Sequence, residues 1–274
     1  MKALVIEGGG MKASFANGVL SAFEEVGYHP WDAVIGTSAG GALGCWYSAG
    51  QARYAENTWK YAQDSRVLSW GRFLTGKGPY LDHEALIDIV YTQENPIDVQ
   101  AIKQASWPVV VTTIEAQTGK MHYQDVRNED VIAWIKATGR LPMMSGPPVN
   151  IDGVDHFDGG VADPIPIQYA VEELGATDVT LITNNHAVKP KEMPLAAAFV
   201  RKYPALKPYV SQHQALKLQA MEYARNPPSG VAVHIIQPEE PHGISRLSKD
   251  LDGVMAHLER GRAAGKAFAN PLQV

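Results

Sequence analysis

The chain has 274 residues, enough for one large α/β domain or two small ones. Its net charge is −5, and 45% of its residues are hydrophobic. This composition is typical of a folded globular protein, and it lacks the basic excess with which nucleic-acid-binding proteins neutralise phosphates. Because no linker-like stretch interrupts the sequence, we predict a single domain over residues 1–274 and no nucleic-acid partner.

The N-terminal segment and the cysteine content bear on location. The apolar opening stops at Glu7 and the glycines that follow, which is too short for the apolar core of a signal peptide. No apolar run approaches the roughly 18 residues of a membrane-spanning helix. The single cysteine, Cys45, fits a reducing compartment. We therefore predict a cytoplasmic protein that makes at most transient, peripheral contact with membranes.

The first elements form a β-α-β-α unit. Residues 3–6 are apolar and partly β-branched, which predicts a buried parallel strand. Residues 11–26 carry apolar side chains at helical spacing, and Gly27 is a natural helix stop. A second strand is predicted over 33–36, and a helix rich in small residues over 39–49.

The rest of the chain continues this alternation. Helical patterns separate most of the further predicted strands, which are 109–114, a hairpin over 149–157 with its turn at Asp152-Gly153, 179–183 and 231–236. Such alternation predicts a three-layer α/β/α fold, a mostly parallel sheet with helices on both faces. A helix broken near Pro204 and Pro208 is predicted over 193–225. Its basic residues are expected on a solvated face, the alternative being a cap that touches anionic lipid; they are Arg201, Lys202, Lys207 and Lys217.

Residues 36–40, Gly-Thr-Ser-Ala-Gly, fit the G-x-S-x-G pattern of a nucleophile elbow. The pattern lies between a predicted strand and a predicted helix, which is the setting that this turn requires. Gly36 and Gly40 let the strand and the helix approach closely, while the helix N-terminus directs its free N–H groups at the reacting centre. Ser38 is therefore the predicted nucleophile.

A glycine-rich loop follows the first strand. It also fits the loose dinucleotide-binding pattern, but the second strand ends in the elbow rather than in the acidic residue that holds a ribose. Backbone N–H groups of such a loop can instead stabilise an oxyanion, because residues without Cβ allow close approach. The candidates for the oxyanion hole are Gly8, Gly9, Gly10 and Met11, followed by the basic Lys12.

Two arrangements could supply the base that Ser38 needs. A histidine of a triad would follow the acid in sequence, and the available ones are His213, His234, His242 and His257, of which His242 fits best. The alternative is Asp158, which ends the predicted hairpin and precedes Gly159 and Gly160. A carboxylate at such a tightly packed corner could face the elbow directly.

The glycine loop, the elbow and Asp158-Gly159-Gly160, in this order, resemble the patatin-like phospholipases. The resemblance extends through residues 135–142 and 163–166, covers about residues 1–185, and is closest to small bacterial single-domain members. It implies a Ser38-Asp158 dyad without histidine, with Gly9 and Gly10 as the main oxyanion donors. Ala13 departs from the pattern, since the family usually has glycine there.

The resemblance implies a lipid acyl hydrolase, that is a phospholipase, lysophospholipase or esterase, that works through an acyl-enzyme and needs no metal or cofactor. The alternatives are a Ser-His-Asp triad esterase and a non-catalytic lipid-binding regulator. Because an aspartate with the ordinary pKa near 4 is a weak base, we expect modest turnover. Residues from about 190 to 274 are expected to elaborate the same domain and to shape an acyl pocket or a lid.

Overall fold

The computed structural model describes residues 1–142, 144–187 and 201–270. Within them, eight strands form one mixed sheet. The strands are β1 (Lys2–Ile6), β2 (Ala33–Thr37), β3 (Val109–Glu115), β4 (Met121–Asp125), β5 (Val149–Ile151), β6 (Val154–Asp158), β7 (Asp178–Ile182) and β8 (Ala232–Ile236). Their order is β5-β6-β3-β2-β1-β7-β8, and β4 pairs with β3.

Helices connect most of the strands. The α-helices are α1 (Ser14–Val26), α2 (Ala39–Ser48), α3 (Ala52–Ala55), α4 (Trp70–Leu74), α5 (Val99–Lys103), α6 (Val131–Thr138), α7 (Lys207–Arg225) and α8 (Leu251–Ala269). Two π-helical stretches cover Ala85–Glu94 and Tyr169–Glu173. Short 3-10 turns precede α1 at Gly10–Ala13 and follow β6 at Gly159–Val161.

The sheet lies between two hydrophobic cores, because successive strand residues point to opposite faces. Leu4 and Ile6 of β1 join the core that α1, α2 and α8 cover. Ala3 and Val5 join the core on the other face, which α7 covers with Met221 and its neighbours. Helices thus cover both faces, and the predicted three-layer α/β/α class is confirmed.

The pairing around β3 determines where the site forms. β2 runs parallel to β3 and ends with Thr37 opposite Thr112, while β6 runs antiparallel with Asp158 opposite Thr113. β4 pairs with the edge of β3 opposite to β2, and Thr113 pairs with His122 of β4 on that edge. Because only one strand can pair with each edge at Thr113, β6 pairs with the same edge of β3 as β2, just past the end of β2. Asp158 consequently lies just beyond the last residue of β2.

The local predictions for the first helix and for the hairpin over 149–157 agree closely with the structure. The helix predicted over 11–26 begins with the 3-10 turn and stops at Gly27, which has the left-handed φ of 68°. The hairpin turn has positive φ at both Asp152 and Gly153, 50° and 85°, as a type I′ turn requires.

Two details of the helix predicted over 193–225 were wrong, and residues 193–200 lie outside the described part. Pro208 does not break the helix, because it lies in the first turn of α7, where the missing N–H is not needed. Lys217 is not solvated, since only 6% of it is exposed. Strand β4, which is half-buried throughout, was not predicted.

The C-terminal segment is built into the fold. β8 extends the sheet by pairing in parallel with β7, and α8 packs along α1. The two helix backbones approach so closely that a Cβ at Gly18 would lie 1.9 Å from the Leu258 carbonyl oxygen, and one at Gly261 2.0 Å from that of Phe15. In the described residues, no helix has the length and apolar character needed to cross a bilayer.

Replacing Gly261 with alanine is expected to destabilise the protein by about 1 to 3 kcal/mol, because the added methyl meets the α1 backbone. In an isolated helix, replacing glycine with alanine stabilises by up to about 1 kcal/mol. A decrease in the free energy of unfolding would therefore show that the added methyl meets the α1 backbone. Urea unfolding measures the difference. Gly71→Ala in helix α4 is the matched control, since the nearest atom to its added Cβ is Ser69 Oγ, at an ordinary contact distance of 3.9 Å. Equal stability of the two variants would contradict the close packing of α1 on α8.

Candidate active site

Ser38 lies at a strained turn between β2 and α2. Its φ of 58° and ψ of −130° put a non-glycine residue in a rarely occupied backbone region. Asp152 of the hairpin is the only other non-glycine residue with positive φ in the described chain. Ser38 is half-buried, so its side chain sits within the fold without being sealed off. This is the geometry of a nucleophile elbow.

Close packing and one side chain hold the elbow in place. A Cβ at Gly36 would lie 2.4 Å from the Gly40 carbonyl oxygen, and one at Gly40 would lie 2.5 Å from that of Ile6. Both positions therefore require glycine. The backbone N–H of Ser38 donates to Thr138 Oγ1 at 3.0 Å, at the buried end of α6.

Asp158 ends β6 beside Ser38, as the pairing of β3 dictates. Its Oδ1 accepts the Gly160 N–H at 2.8 Å, and the adjacent Ser38 side chain favours the ionised form of the carboxylate. A Cβ at Gly159 would lie 2.4 Å from Thr112 Oγ1, so this corner packs directly on β3. The structure thus brings together two of the predicted site residues, Ser38 and Asp158.

Burial controls the charge of Asp158, of which only 1% is exposed. Burial raises the pKa of Asp158 to about 6, against the smaller lowering effects of the Ser38 side chain, the Gly160 N–H and the positive Arg246. The sequence-based expectation of an ordinary pKa near 4 is replaced by this higher value. An aspartate with this pKa is a stronger base that is still largely ionised at neutral pH.

The glycine loop lies directly against the elbow. A Cβ at Gly8 would lie 2.9 Å from Ser38 Cβ. The Gly8 N–H donates to the Pro164 carbonyl at 3.4 Å, and the Met11 N–H donates to the Arg246 carbonyl at 3.1 Å. Over the described residues, the Gly9 and Gly10 N–H groups have no acceptor in the protein.

A buried polar network supports this loop from behind. Glu7, 1% exposed, forms an ion pair with Lys217 of α7. Its Oε2 accepts the Asn184 N–H at 2.7 Å, and its Oε1 accepts the Asn185 Nδ2 at 3.2 Å. Lys12 Nζ donates to Asn185 Oδ1 at 2.8 Å. Residues on both sides of the loop are therefore fixed to the end of β7 and to α7.

Three of the four histidines that a triad could use have other partners, and neither ring nitrogen of the buried fourth, His257, has a hydrogen-bond partner among the described residues. His242 Nε2 hydrogen-bonds with the Asn184 carbonyl at 3.0 Å, and its ring packs against that of His257 at an interplanar angle of 37°. His234 is exposed and lies 3.5 Å from Asp178. His213 Nε2 accepts a hydrogen bond from Arg246 Nη2 at 2.7 Å. No hydrogen bond joins a histidine to Ser38 anywhere in the described residues.

The sequence interpretation assigned no role at the site to Glu7, Lys217 and Arg246, and it considered His213 only as a possible triad base. Lys217, His213 and Arg246 come from the C-terminal segment, where no motif indicated a role. The one available signal was Glu7, a carboxylate at the end of an otherwise apolar buried strand, which requires a partner. No cluster of three or more metal-ligating side chains occurs in the part of the chain that the structure describes.

Fold and site together define an α/β protein with a serine at a nucleophile elbow and an aspartate beside it. The sequence matches the patatin-like phospholipase family over residues 4–171, and the chain belongs to that family. Membership supports lipid hydrolase activity. Residues 203–273 match a second family, a domain of unknown function, DUF6363.

Two known proteins are similar to the chain as a whole. The uncharacterized protein YjjU of Escherichia coli (strain K12) is 24% identical over 289 residues, which cover 97% of this chain and 76% of YjjU. The crystal structure of VipD from Legionella pneumophila aligns with a TM-score of 0.46 and 10% identity, over 98% of this chain and 67% of that protein.

Proposed function

We propose that the protein is a serine acyl hydrolase that cleaves fatty-acyl esters of lipids, with Ser38 as nucleophile and Asp158 as base. The observation that supports this best is the position of Ser38, at a strained elbow, beside a buried carboxylate whose pKa is about 6. A serine needs such an adjacent base to become nucleophilic.

The proposed reaction has two steps. Asp158 accepts the Ser38 proton as Oγ attacks the ester carbonyl, and the collapsing intermediate takes this proton on its leaving alcohol. Water then loses a proton to Asp158 and attacks the acyl-enzyme, which releases the fatty acid and returns the proton to Ser38. One carboxylate thus acts as base and acid in turn, and neither step needs a metal or cofactor.

The Gly9 and Gly10 N–H groups are the proposed oxyanion donors. Both are free within the described residues and lie in the loop that contacts Ser38. Gly8 and Met11, the other two sequence-based candidates, already donate to carbonyl groups of the protein. One donor of this kind is worth about 10² to 10³ in rate.

We also propose that residues 1–274 fold as one domain, although two families match separate parts of the chain. β8 completes the edge of the sheet beside β7, and α8 covers the core against α1. Lys217 of the second part neutralises Glu7 of the first. The C-terminal segment therefore contributes to the core and to the surroundings of the site.

The pH dependence of kcat/KM follows from the pKa of Asp158. Because the base must be ionised, kcat/KM is expected to rise with pH through about 6 and to level off above it. The measurement uses a neutral ester from about pH 4 to about pH 9. His242→Ala should keep the same profile. A midpoint near the ordinary aspartate pKa of about 4 would contradict the effect of burial on Asp158.

The activity itself is tested with p-nitrophenyl esters of short and long fatty acids, with wild type and Ser38→Ala. We expect hydrolysis by the wild type and none above background by the variant. A lipid hydrolase should also prefer longer acyl chains. A wild type that cleaves none of these esters, while circular dichroism shows it folded, would contradict the proposal and favour lipid binding without catalysis.

A further inference from the structure

A short apolar face on α4 is exposed to solvent. Trp70, Phe73 and Leu74 are three and four residues apart, so they lie on one side of the helix. Leu74 is 78% exposed and Trp70 is 45% exposed, while Phe73 is half-buried. Among the described residues, no other helix or strand carries two exposed large hydrophobic side chains. Single exposed hydrophobic residues are common, whereas a group on one face indicates a binding surface.

The loop that carries the apolar face is held in shape by the Arg72 side chain. Arg72 Nε donates to the Pro79 carbonyl at 3.0 Å, and its two Nη atoms donate to the carbonyls of Ser65 at 3.2 Å and Val67 at 3.3 Å. One side chain thus connects the backbone before α4 with the backbone after it. The apolar face is therefore presented at a defined position.

The apolar face is connected to the glycine loop. The Trp70 ring packs on the Tyr80 ring, with centroids 4.2 Å apart. The Tyr80 hydroxyl donates to the Leu247 carbonyl at 3.2 Å. The preceding residue, Arg246, accepts the Met11 N–H at its own carbonyl, at 3.1 Å. Successive contacts therefore link α4 to the loop that contains the proposed oxyanion donors.

Positive charge accompanies the apolar face. Residues 70–79 contain two basic side chains, Arg72 and Lys77, and no acidic one, in a chain whose net charge is −5. Asp82 lies 3.9 Å from Arg72 Nη2 and partly neutralises it. Lys77 is exposed and forms no ion pair with any residue that the structure describes. A partner of this surface should therefore combine apolar groups with negative charge.

The surface of a bilayer with anionic headgroups has this combination. Tryptophan is favoured at the boundary between headgroups and acyl chains, and a short apolar helix face can insert there. A lysine close to an anionic leaflet strengthens binding about 5-fold. A second copy of the chain is a poorer match, because a stable protein interface takes about 20 to 30 residues from each side and this face has three apolar ones.

We infer that the apolar face of α4, together with Lys77, docks the protein on the surface of membranes that contain anionic lipids. The inference rests on the proposed function, because docking at α4 would bring the glycine loop and Ser38 close to lipid esters. The docking residues themselves lie outside the site of Ser38 and Asp158, so they can be changed without altering the reacting groups.

Vesicle binding tests the inference without turnover. The Ser38→Ala protein is sedimented with vesicles of equal parts phosphatidylglycerol and phosphatidylcholine, and with vesicles of phosphatidylcholine alone. Adding Leu74→Ser should weaken binding to both kinds of vesicle about 10-fold, because an inserted apolar side chain is lost. Adding Lys77→Gln should weaken binding to the mixed vesicles about 5-fold and leave binding to the neutral vesicles unchanged.

Matched controls come from elsewhere on the surface. Val154→Ser changes an exposed apolar residue of the hairpin, and Lys120→Gln changes an exposed lysine between β3 and β4. Both should bind vesicles as the Ser38→Ala parent does. Absence of vesicle binding by the parent, or an equal loss in the controls and in the α4 variants, would overturn the inference.

A fluorescent label locates the contact. Cys45 is buried, so a polarity-sensitive dye reacts selectively with the cysteine of Leu74→Cys. We expect the emission of the dye to shift to shorter wavelength when mixed vesicles are added, and no shift when the dye is on Val154→Cys. If the shift at position 74 instead appears without lipid, as sedimentation equilibrium shows a dimer forming, the face is an interface between copies and the inference is wrong.

Activity distinguishes this inference from the proposed function. The ratio of lipid hydrolysis in mixed vesicles to hydrolysis of soluble p-nitrophenyl acetate should fall about 10-fold in Leu74→Ser. If no ester is hydrolysed but vesicle binding depends on Leu74 and Lys77, the hydrolase proposal fails and the docking surface stands. If esters are hydrolysed while Leu74→Ser changes neither the ratio nor vesicle binding, the docking surface fails and the proposed function stands.

Discussion

Asp158→Asn is expected to lose about 10² to 10⁴ of the rate of ester hydrolysis, because an amide cannot accept the Ser38 proton. The same variant is expected to be more stable than the wild type at about pH 8. Folding raises the pKa of Asp158 from 3.8 to about 6, so keeping the carboxyl ionised costs the folded state about 3 kcal/mol at high pH. An asparagine avoids this cost while its side-chain oxygen can still accept the Gly160 N–H.

The pH dependence of the free energy of unfolding identifies the cause. At low pH the carboxyl is protonated in both folded and unfolded chains, so the cost of ionisation arises only as pH rises toward and through about 6. Urea unfolding at about pH 8 should favour the variant, and most of the difference should disappear at about pH 4. Asp152→Asn, in the exposed hairpin turn, is the control and should change little. A variant less stable than wild type at the higher pH would contradict the raised pKa.

Lys217→Met is expected to destabilise the protein by about 3 to 5 kcal/mol, because it leaves the Glu7 carboxylate buried without its counter-ion. Urea unfolding at neutral pH measures the loss. Lys207→Met removes an exposed lysine from the start of the same helix and should cost far less. The glycine loop begins directly after Glu7, so the variant should also lose hydrolytic activity.

A double substitution separates the ion pair from the volume of the lysine. Glu7→Gln combined with Lys217→Met removes both charges and should recover much of the stability that Lys217→Met loses. If the double variant is as unstable as the sum of the two single variants, the charges do not interact as the structure indicates.

Features set by neighbouring residues could be predicted from the sequence. Apolar β-branched runs predicted several strands with bounds close to the observed ones. The pair Asp152-Gly153 predicted the hairpin turn, because both residues tolerate positive φ. The elbow was predictable for the same reason, since Gly36 and Gly40 mark a turn packed against a strand. These signals are local and need no knowledge of the fold.

Features that depend on distant partners could not be predicted in this way. Lys217 resembles a solvated helix lysine, and its partner Glu7 lies 210 residues away in sequence. β4 has no face that is fully buried, so its pattern is weak. Ser38 and Asp158 lie side by side because β6 pairs with β3 directly beyond the point where β2 ends. Hydrophobic periodicity does not reveal this strand pairing.

The surroundings of Ser38 and Asp158 belong to the same category. The sequence and its family resemblance indicated Ser38 and Asp158, but the pKa of Asp158 depends on how deeply the fold buries it. Arg246 and His213 lie on separate elements with no motif around either, and only the tertiary fold joins them. Their contact therefore had to come from the structure.

The central claim is that Ser38 is a nucleophile activated by Asp158 without histidine. Its most direct test is labelling with a fluorophosphonate probe, followed by mass spectrometry to locate the modified residue. We expect the wild type and His242→Ala to be labelled on Ser38, Asp158→Asn to react far more slowly, and Ser38→Ala to remain unlabelled. Labelling at another residue, no labelling of the wild type, or loss of labelling in His242→Ala with Asp158→Asn unaffected would contradict the claim.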